Sequence, residues 1–207
     1  MRIDSHHSFS ERYPLDHLES ILKRNRFEGS ILFGEPLPTP DFVQGIVVPS
    51  HCRDRAGEPK VCGVQHDFAS GEIPGWLEGV PRLDVLHGLW LVPQIAERYP
   101  NLQIAIDHLG APASPAWQQD LERAAGFPQV YCKLSGLTRF GEPRAYVRHA
   151  MALFGPQRLM FGSDWPEALP EHTWKANLAA FTQAIGAQSI EVREELLGGV
   201  AARFYGL

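Results

Sequence analysis

The sequence predicts an α/β fold in which eight parallel strands form a reduced (β/α)8 TIM barrel. Eight short apolar or β-branched runs recur along the chain, each bounded by glycine or proline, which is typical of buried parallel strands. Amphipathic helical patterns follow several of these runs. Aspartate and histidine stand where three of the runs end, and in such barrels the carboxyl ends of the strands carry the active site.

The eight predicted strands are unevenly spaced. The first two are nearly 30 residues apart, as are the last two, which leaves room for a helix in each connection. The second, third and fourth strands follow one another after only about 15 residues. The predicted strands cover residues 1–5, 30–33, 45–48, 61–65, 82–86, 102–107, 130–133 and 159–161.

Three consecutive connections are predicted to lack an ordinary helix. Three prolines in Glu35–Pro40 prevent a helix between strands 2 and 3. The stretch Pro49–Pro59, between strands 3 and 4, is polar and aperiodic. Residues 67–81, after strand 4, contain three glycines and at best one helical turn. About three outer helices are therefore expected to be missing, after strands 2, 3 and 4.

Six helices are predicted in the rest of the chain. Apolar residues at helical spacing mark the first of them, and Pro100 ends the second. Ser114 and Ser189 are the predicted N-caps of the third and the last helix. The predicted helices are Leu15–Arg26, Val92–Tyr99, 114–125, Pro143–Phe154, Thr173–Ile185 and one that begins near Ser189.

The composition indicates a globular protein without a nucleic-acid or membrane partner. Its 207 residues fit one domain, residues 1–207, and a hydrophobic content of 44% is sufficient for a core. The net charge of −5, with lysines and arginines scattered, excludes a basic footprint for nucleic acid or membrane surfaces. The three cysteines lack CxxC spacing and no leader or membrane span is evident, so we expect free thiols and a cytoplasmic location.

Three strand ends carry residues that could form one polar site. Asp164 follows the eighth strand, His108 follows the sixth, and His6 lies near the end of the first. A carboxylate at the end of a buried strand is costly unless another group pairs with it. Because the carboxyl ends of parallel strands meet at the same mouth of a barrel, we expect these side chains to lie together.

Six motifs along the chain carry a family resemblance. In their order they resemble the amidohydrolase-2 family of metal-dependent hydrolases, particularly its sugar-lactonase and dicarboxylate-lactonase-like members. The resemblance covers nearly the whole chain and is densest from Gly63 onward. The motifs are IDSHH at 3–7, GVQH at 63–66, DHLGAP at 107–112, YCKLSG at 131–136, FGSDWP at 161–166 and LGGVAARFYGL at 197–207.

The resemblance implies a hydrolase in which water attacks a small lactone or ester at the carboxyl-end mouth of the barrel. It implies that Asp164 binds metal and accepts a proton from the water, and that His108 binds metal or polarises the scissile carbonyl. His6 is the third implied ligand of one divalent metal, for which zinc is the first expectation. Four further residues are expected to line the substrate pocket: Gln65, His66, Lys133 and Ser135.

The chain also departs from the family pattern. Ser8 stands where the family's first strand has its second histidine, and a hydroxyl is a poor ligand beside imidazole, so the metal is expected to be weakly bound or absent. Gln65 replaces an arginine and so loses a positive fork for a substrate carboxylate. These departures favour an alternative, a catalytically degenerate barrel that binds a small molecule or a partner. A non-oxidative decarboxylase is a third hypothesis, which a complete ligand set would favour.

The missing helices predict a homodimer. Strands 2, 3 and 4 carry large apolar side chains, about half of which should point outward without a helix to cover them. A bare patch of this kind exceeds what soluble monomers expose, so we expect the same patch of two chains to meet across a two-fold axis. The side chains concerned are Ile31, Phe33, Ile46, Val48, Val61 and Val64.

Overall fold

Eight parallel strands follow one another in sequence order around the sheet in the computed structural model, which describes residues 1–35, 38–112, 114–169 and 171–207. A parallel bridge between His7 and Trp165 joins the first strand to the chain after the last one, so the barrel is nearly closed and the predicted fold is confirmed. The strands are β1 (Ile3–Ser8), β2 (Gly29–Phe33), β3 (Val43–Pro49), β4 (Val61–His66), β5 (Arg82–Val85), β6 (Gln103–Ile106), β7 (Val130–Ser135) and β8 (Leu159–Gly162).

The helices lie close to their predicted positions. Thr173 and Ser189 are the N-caps of the helices that follow them, because their hydroxyls accept hydrogen bonds from the N–H groups of Ala176 and Val192. The third helix begins later than predicted, since Ser114 bonds the Ala116 N–H in a separate turn before it. The helices are α1 (Leu15–Arg24), α2 (Val92–Arg98), α3 (Trp117–Ala125), α4 (Arg144–Phe154), α5 (Trp174–Ile185), α6 (Ile190–Glu194) and α7 (Val200–Tyr205).

Among the described residues, the connections after β2, β3 and β4 contain no ordinary helix, as predicted. The described part of the β2–β3 connection is non-helical, while Pro36 and Leu37 of the predicted proline-rich run lie outside the described residues. A short 3-10 helix, Ser50–Arg55, follows β3, and a single 3-10 turn, Gly75–Leu77, stands between β4 and β5. The helical wall of the barrel is therefore built mainly by the second half of the chain.

The expectation of a bare apolar patch on β2–β4 is wrong. Ile31 and Phe33 point into the barrel, where they belong to a buried interior cluster. Three of the outward side chains, Ile46, Val48 and Val64, are also buried, in one cluster with apolar residues of the short connections: Phe42, Cys52, Phe68 and Leu77. Of the six side chains, Val61 alone keeps partial exposure. The homodimer itself stays a prediction.

The amino-terminal end of the barrel is filled by the last helix. Phe204 and Tyr205 of α7 belong to the interior cluster together with Ile3, Ile31, Val47, Ala105 and Met160. The Phe204 carbonyl accepts a hydrogen bond from Arg82 at the start of β5. This apolar layer leaves only the carboxyl-end half of the barrel for polar groups. No helix among the described residues is long and apolar enough to cross a membrane.

Candidate active site

The structure brings His6, His108 and Asp164 together at the mouth of the barrel. His6 lies near the end of β1, His108 in the turn after β6, and Asp164 two residues beyond β8. The Nε2 atoms of His6 and His108 each lie 3.8 Å from Asp164 Oδ1. The two imidazole rings meet edge to face with centroids 4.6 Å apart. Three strand ends that are far apart in sequence thus face one point.

The backbone at this point adopts a conformation that is uncommon outside glycine. His108 has φ +50° and Asp164 has φ +59°. Hydrogen bonds hold both turns, since the Asp164 N–H donates to the His6 carbonyl and the Ala111 N–H to the His108 carbonyl. Gly136 packs against them, and a Cβ at this position would lie 3.1 Å from Asp164 Oδ2 and 3.3 Å from His108 Nδ1. Such turns are concentrated at functional sites.

Asp164 is placed to act as a proton acceptor. Its side chain is only 2% exposed, and burial raises its pKa, while His6 and Arg139 act in the opposite direction. Arg139, on the 3-10 turn Leu137–Phe140 after β7, places Nη2 2.5 Å from Asp164 Oδ2. A carboxylate whose pKa moves toward neutrality is a stronger base at neutral pH. Arg139 is not among the residues predicted from the sequence, because no strand-end motif includes it.

Ser135 orients the second imidazole. Its Oγ lies 2.9 Å from His108 Nδ1 and accepts a hydrogen bond from the His108 backbone N–H at 3.3 Å. Burial lowers the pKa of His108 to about 3, so the ring is neutral at physiological pH. Ser135, expected in the substrate pocket, is fully buried and contacts His108 instead of lining open space.

Lys133, also expected to bind substrate, lies one layer beneath the mouth and is fully buried. Its Nζ is 2.9 Å from Asp107 Oδ1, 3.3 Å from Asp84 Oδ1 and 4.0 Å from the centroid of the Phe33 ring. The Lys133 side chain thus contacts two buried carboxyl groups. The closer contact lowers the pKa of Asp107, whereas burial and the neighbouring Asp107 raise the pKa of Asp84 to about 7.

The two residues expected at the end of β4 occupy different environments. Gln65 donates a hydrogen bond from Nε2 to Asp107 Oδ2 at 2.9 Å, so its amide faces the buried layer. His66 is half-buried, and its Nδ1 lies 2.7 Å from Ser50 Oγ. Its ring also meets Trp76 edge to face. His66 therefore belongs to the rim of the mouth and Gln65 to its floor.

The first strand presents one imidazole to the mouth. A register shift lies between Asp4 and His7, but the His7 ring turns away and places Nε2 2.9 Å from Ser30 Oγ. Ser8 pairs in register with Phe33, an inward-facing residue, so Ser8 occupies the position that faces the mouth. The strand geometry thus agrees with the predicted substitution of one imidazole by a hydroxyl.

The three residues at the mouth fit a divalent metal ion. Their nearest donor atoms, two imidazole nitrogens and a carboxylate oxygen, lie within 4.8 Å of one another. A tetrahedral zinc with bonds of about 2.1 Å holds its ligands about 3.4 Å apart. The observed 3.8 Å between Asp164 Oδ1 and each imidazole Nε2 is close to that spacing. Three protein ligands and one open position are typical of catalytic zinc sites.

Comparison with known proteins identifies the family. The sequence model of the family described as Amidohydrolase matches residues 84–207, which include His108 and Asp164. The chain belongs to the amidohydrolase family. The resemblance inferred from the six motifs is thereby confirmed.

Two curated relatives of this amidohydrolase carry the same name, L-fucono-1,5-lactonase. The one from Burkholderia ambifaria is 37% identical over an alignment of 126 residues, and the match covers 53% of this chain and 43% of the relative. The one from Burkholderia multivorans is 34% identical over an alignment of 169 residues, and the match covers 68% of this chain and 56% of the relative. The chain spans about half the length of these curated relatives.

Solved structures share the fold of this amidohydrolase. An amidohydrolase from Burkholderia multivorans with bound zinc has a TM-score of 0.82 at 24% identity and covers 100% of this chain and 99% of its own. Amidohydrolase 2 from Bifidobacterium longum subsp. infantis has a TM-score of 0.76 at 16% identity, and the match covers 99% of this chain and 98% of that protein. At these identities the similarity establishes the barrel fold.

Proposed function

We propose that this amidohydrolase hydrolyses small lactones at the mouth of its barrel with the help of one divalent metal. The observation that carries the proposal is the convergence of His6, His108 and Asp164 on one point from three separate strand ends. A buried imidazole, a partly buried imidazole and a carboxylate of raised pKa form a set of groups that holds a metal and accepts a proton. The lactonase relatives support the choice of a lactone as substrate.

Asp164 performs the proton transfers in the proposed reaction. Its carboxylate accepts a proton from the attacking water while the water oxygen bonds to the acyl carbon. It returns the proton to the ring oxygen when the acyl C–O bond breaks, which leaves a hydroxy acid. Arg139 holds Asp164 Oδ2, so that Oδ1 is directed between the two imidazoles. A divalent metal on His6, His108 and Asp164 would lower the pKa of water and polarise the carbonyl.

The proposed substrates are neutral sugar lactones. Gln65 stands where the family resemblance implies an arginine, and its amide is engaged by Asp107, so it offers no positive fork to a substrate carboxylate. At the rim Arg139 is exposed and His66 is half-buried, and both are polar groups available to a sugar hydroxyl. We therefore expect a higher kcat/KM for L-fucono-1,5-lactone than for a lactone that carries carboxylates.

The substitution Asp164→Asn tests the proposed role of the carboxylate. The amide keeps the shape and loses the basicity, so lactone hydrolysis should fall roughly 100-fold or more. A pH indicator measures the acid that hydrolysis releases, with zinc supplied in excess. The matched control is Asp41→Asn, an exposed aspartate before β3, which should keep wild-type activity. Wild-type rates in Asp164→Asn would remove this residue from the reaction.

Ser8 supports the second candidate, a barrel that binds a small molecule without turnover. It offers a hydroxyl where the family pattern has an imidazole, and Asp164 and His6 are only 2% and 5% exposed. Under this hypothesis a sugar lactone raises the melting temperature of the zinc-supplied protein while no acid is released. Release of acid that depends on Asp164 excludes it.

A further inference from the structure

A fully buried group of charged and polar side chains lies beneath the mouth, and the proposed proton transfers do not use it. Lys133 contacts Asp107 and Asp84, and the Tyr205 hydroxyl donates to Asp84 at 3.0 Å. Exposure of the four residues is between 0 and 2%. Removing charges from water in this way is costly, and replacement by apolar residues is often neutral or stabilising. Stability alone therefore gives no reason for these charges.

Asp107 is the member of this group that reaches the mouth. One oxygen, Oδ2, accepts a hydrogen bond from Gln65. The other, Oδ1, lies 2.9 Å from Lys133 Nζ and 3.5 Å from His6 Nδ1. Oδ1 and Nδ1 are both buried, and no described residue gives either a well-aligned hydrogen bond. The carboxylate is thus the group available to satisfy His6 Nδ1.

The His6 ring has little freedom beside this carboxylate. It stacks on Phe33 with centroids 4.0 Å apart and an interplanar angle of 24°. Lys133 Nζ lies 4.0 Å from the centroid of the same Phe33 ring. Phe33 fixes the plane of the imidazole, and Asp107 lies at its Nδ1 edge. Lys133 contacts both Phe33 and Asp107 and so supports the His6 imidazole from the side of the buried layer.

We infer that Asp107, held by Lys133 and Gln65, is a positioning residue that selects the orientation and tautomer of His6. Asp107 Oδ1 already accepts from Lys133 and can only accept from His6 as well, so when the ring carries one proton that proton lies on Nδ1. The lone pair is then on Nε2, the atom that faces Asp164 Oδ1. Metal-binding histidines depend on such a partner at their second nitrogen. The expected effect on metal affinity rests on the proposed function, whereas the expected tautomer of His6 does not depend on it.

This role also accounts for Gln65. A glutamine donates one hydrogen bond to Asp107 and adds no second cation beside Lys133. An arginine at this position would bring its own charge to the carboxylate and compete with Lys133 and His6 for it. The departure from the family pattern at position 65 thus belongs to the support of His6.

The nitrogen resonances of the His6 ring test the inference in the wild-type protein. Long-range ¹H–¹⁵N spectra of the full chain, with His6 assigned by loss of its signals in His6→Gln, distinguish the two neutral tautomers. We expect the proton on Nδ1 in the metal-free protein. A proton on Nε2 overturns the inference, whatever the variants show.

The substitution Asp107→Asn supplies the second test. The amide carbonyl that faces Lys133 and His6 is a weaker acceptor than the carboxylate, so the Nδ1–H tautomer of His6 should be less populated, and the dissociation constant for zinc should rise roughly 10- to 100-fold. Competition with a chromophoric chelator measures the constant. The matched control is Asp84→Asn, which alters the same Lys133 but does not touch His6, and should leave both readouts unchanged.

Each result separates this inference from the proposed function. An Nδ1–H population in Asp107→Asn that equals the wild-type value overturns the positioning role, even if the protein hydrolyses lactones. Equal losses of zinc affinity in Asp107→Asn and Asp84→Asn also overturn it, because they indicate a general effect of the buried charges. If wild-type protein binds no zinc, the metal in the proposed function fails, and the tautomer still decides the inference. Should Asp107→Asn fail to fold, the wild-type spectrum decides it alone.

Discussion

The side chain at position 8 sets how many imidazoles the first strand offers to the mouth. Because Ser8 faces the mouth in register with Phe33, Ser8→His should add a fourth protein ligand to His6, His108 and Asp164. We expect zinc affinity to rise by about tenfold or more, since one added imidazole–zinc bond replaces a weak hydroxyl contact. Chelator competition measures the change, with Ser70→His, at an exposed serine after β4, as control. Full zinc occupancy in the wild type that survives chelator and ignores Ser8→His contradicts this expectation.

The helix α7 connects the carboxyl-terminal end of the chain to the buried charges. Tyr205 donates to Asp84, and Asp84 contacts Lys133, so one phenol contributes to the polar floor of the mouth. Tyr205→Phe removes this donor and should lower the free energy of unfolding by about 1–3 kcal/mol. Urea unfolding measures the loss. The control is Tyr131→Phe on β7, a partly exposed tyrosine that packs on Phe204. Equal effects of the two substitutions would show that the bond to Asp84 contributes nothing.

For the whole molecule the homodimer remains a prediction. Because the apolar side chains of β2–β4 are mostly buried, the surface available for it is smaller than the sequence predicts. A groove of about 680 Å³ runs over the outside of β4, where an outer helix is missing, and Val61, Trp76 and Arg82 line it. We expect two chains to meet at this groove and Trp76→Glu to shift the protein to monomers, because a buried unpaired carboxylate is costly. Light scattering at micromolar concentration measures the mass. A wild-type mass of one chain, 23.1 kDa, contradicts the dimer.

The sequence by itself determined the order of the eight strands, the three connections without a helical pattern and the residues at three strand ends. These features follow from local physics. Runs of apolar residues bounded by glycine or proline form buried strands, prolines exclude a helix after β2, and parallel strands bring Asp164, His108 and His6 to one mouth. Ser8 was singled out by the family resemblance, and alternation along β1 then fixes which face it occupies.

Only the tertiary structure decided what each polar residue contacts. Lys133 and Ser135 lie at the end of β7, where pocket-lining residues are expected. Because both are deep in the barrel, Lys133 contacts two carboxyl groups and Ser135 contacts His108. Arg139 reaches Asp164 through a turn that no periodicity predicts. The cover of β2–β4 depends on how the short connections fold back over the sheet. Sequence patterns specify the face of a strand, whereas depth and partners result from the closure of the barrel, which joins residues more than 100 positions apart.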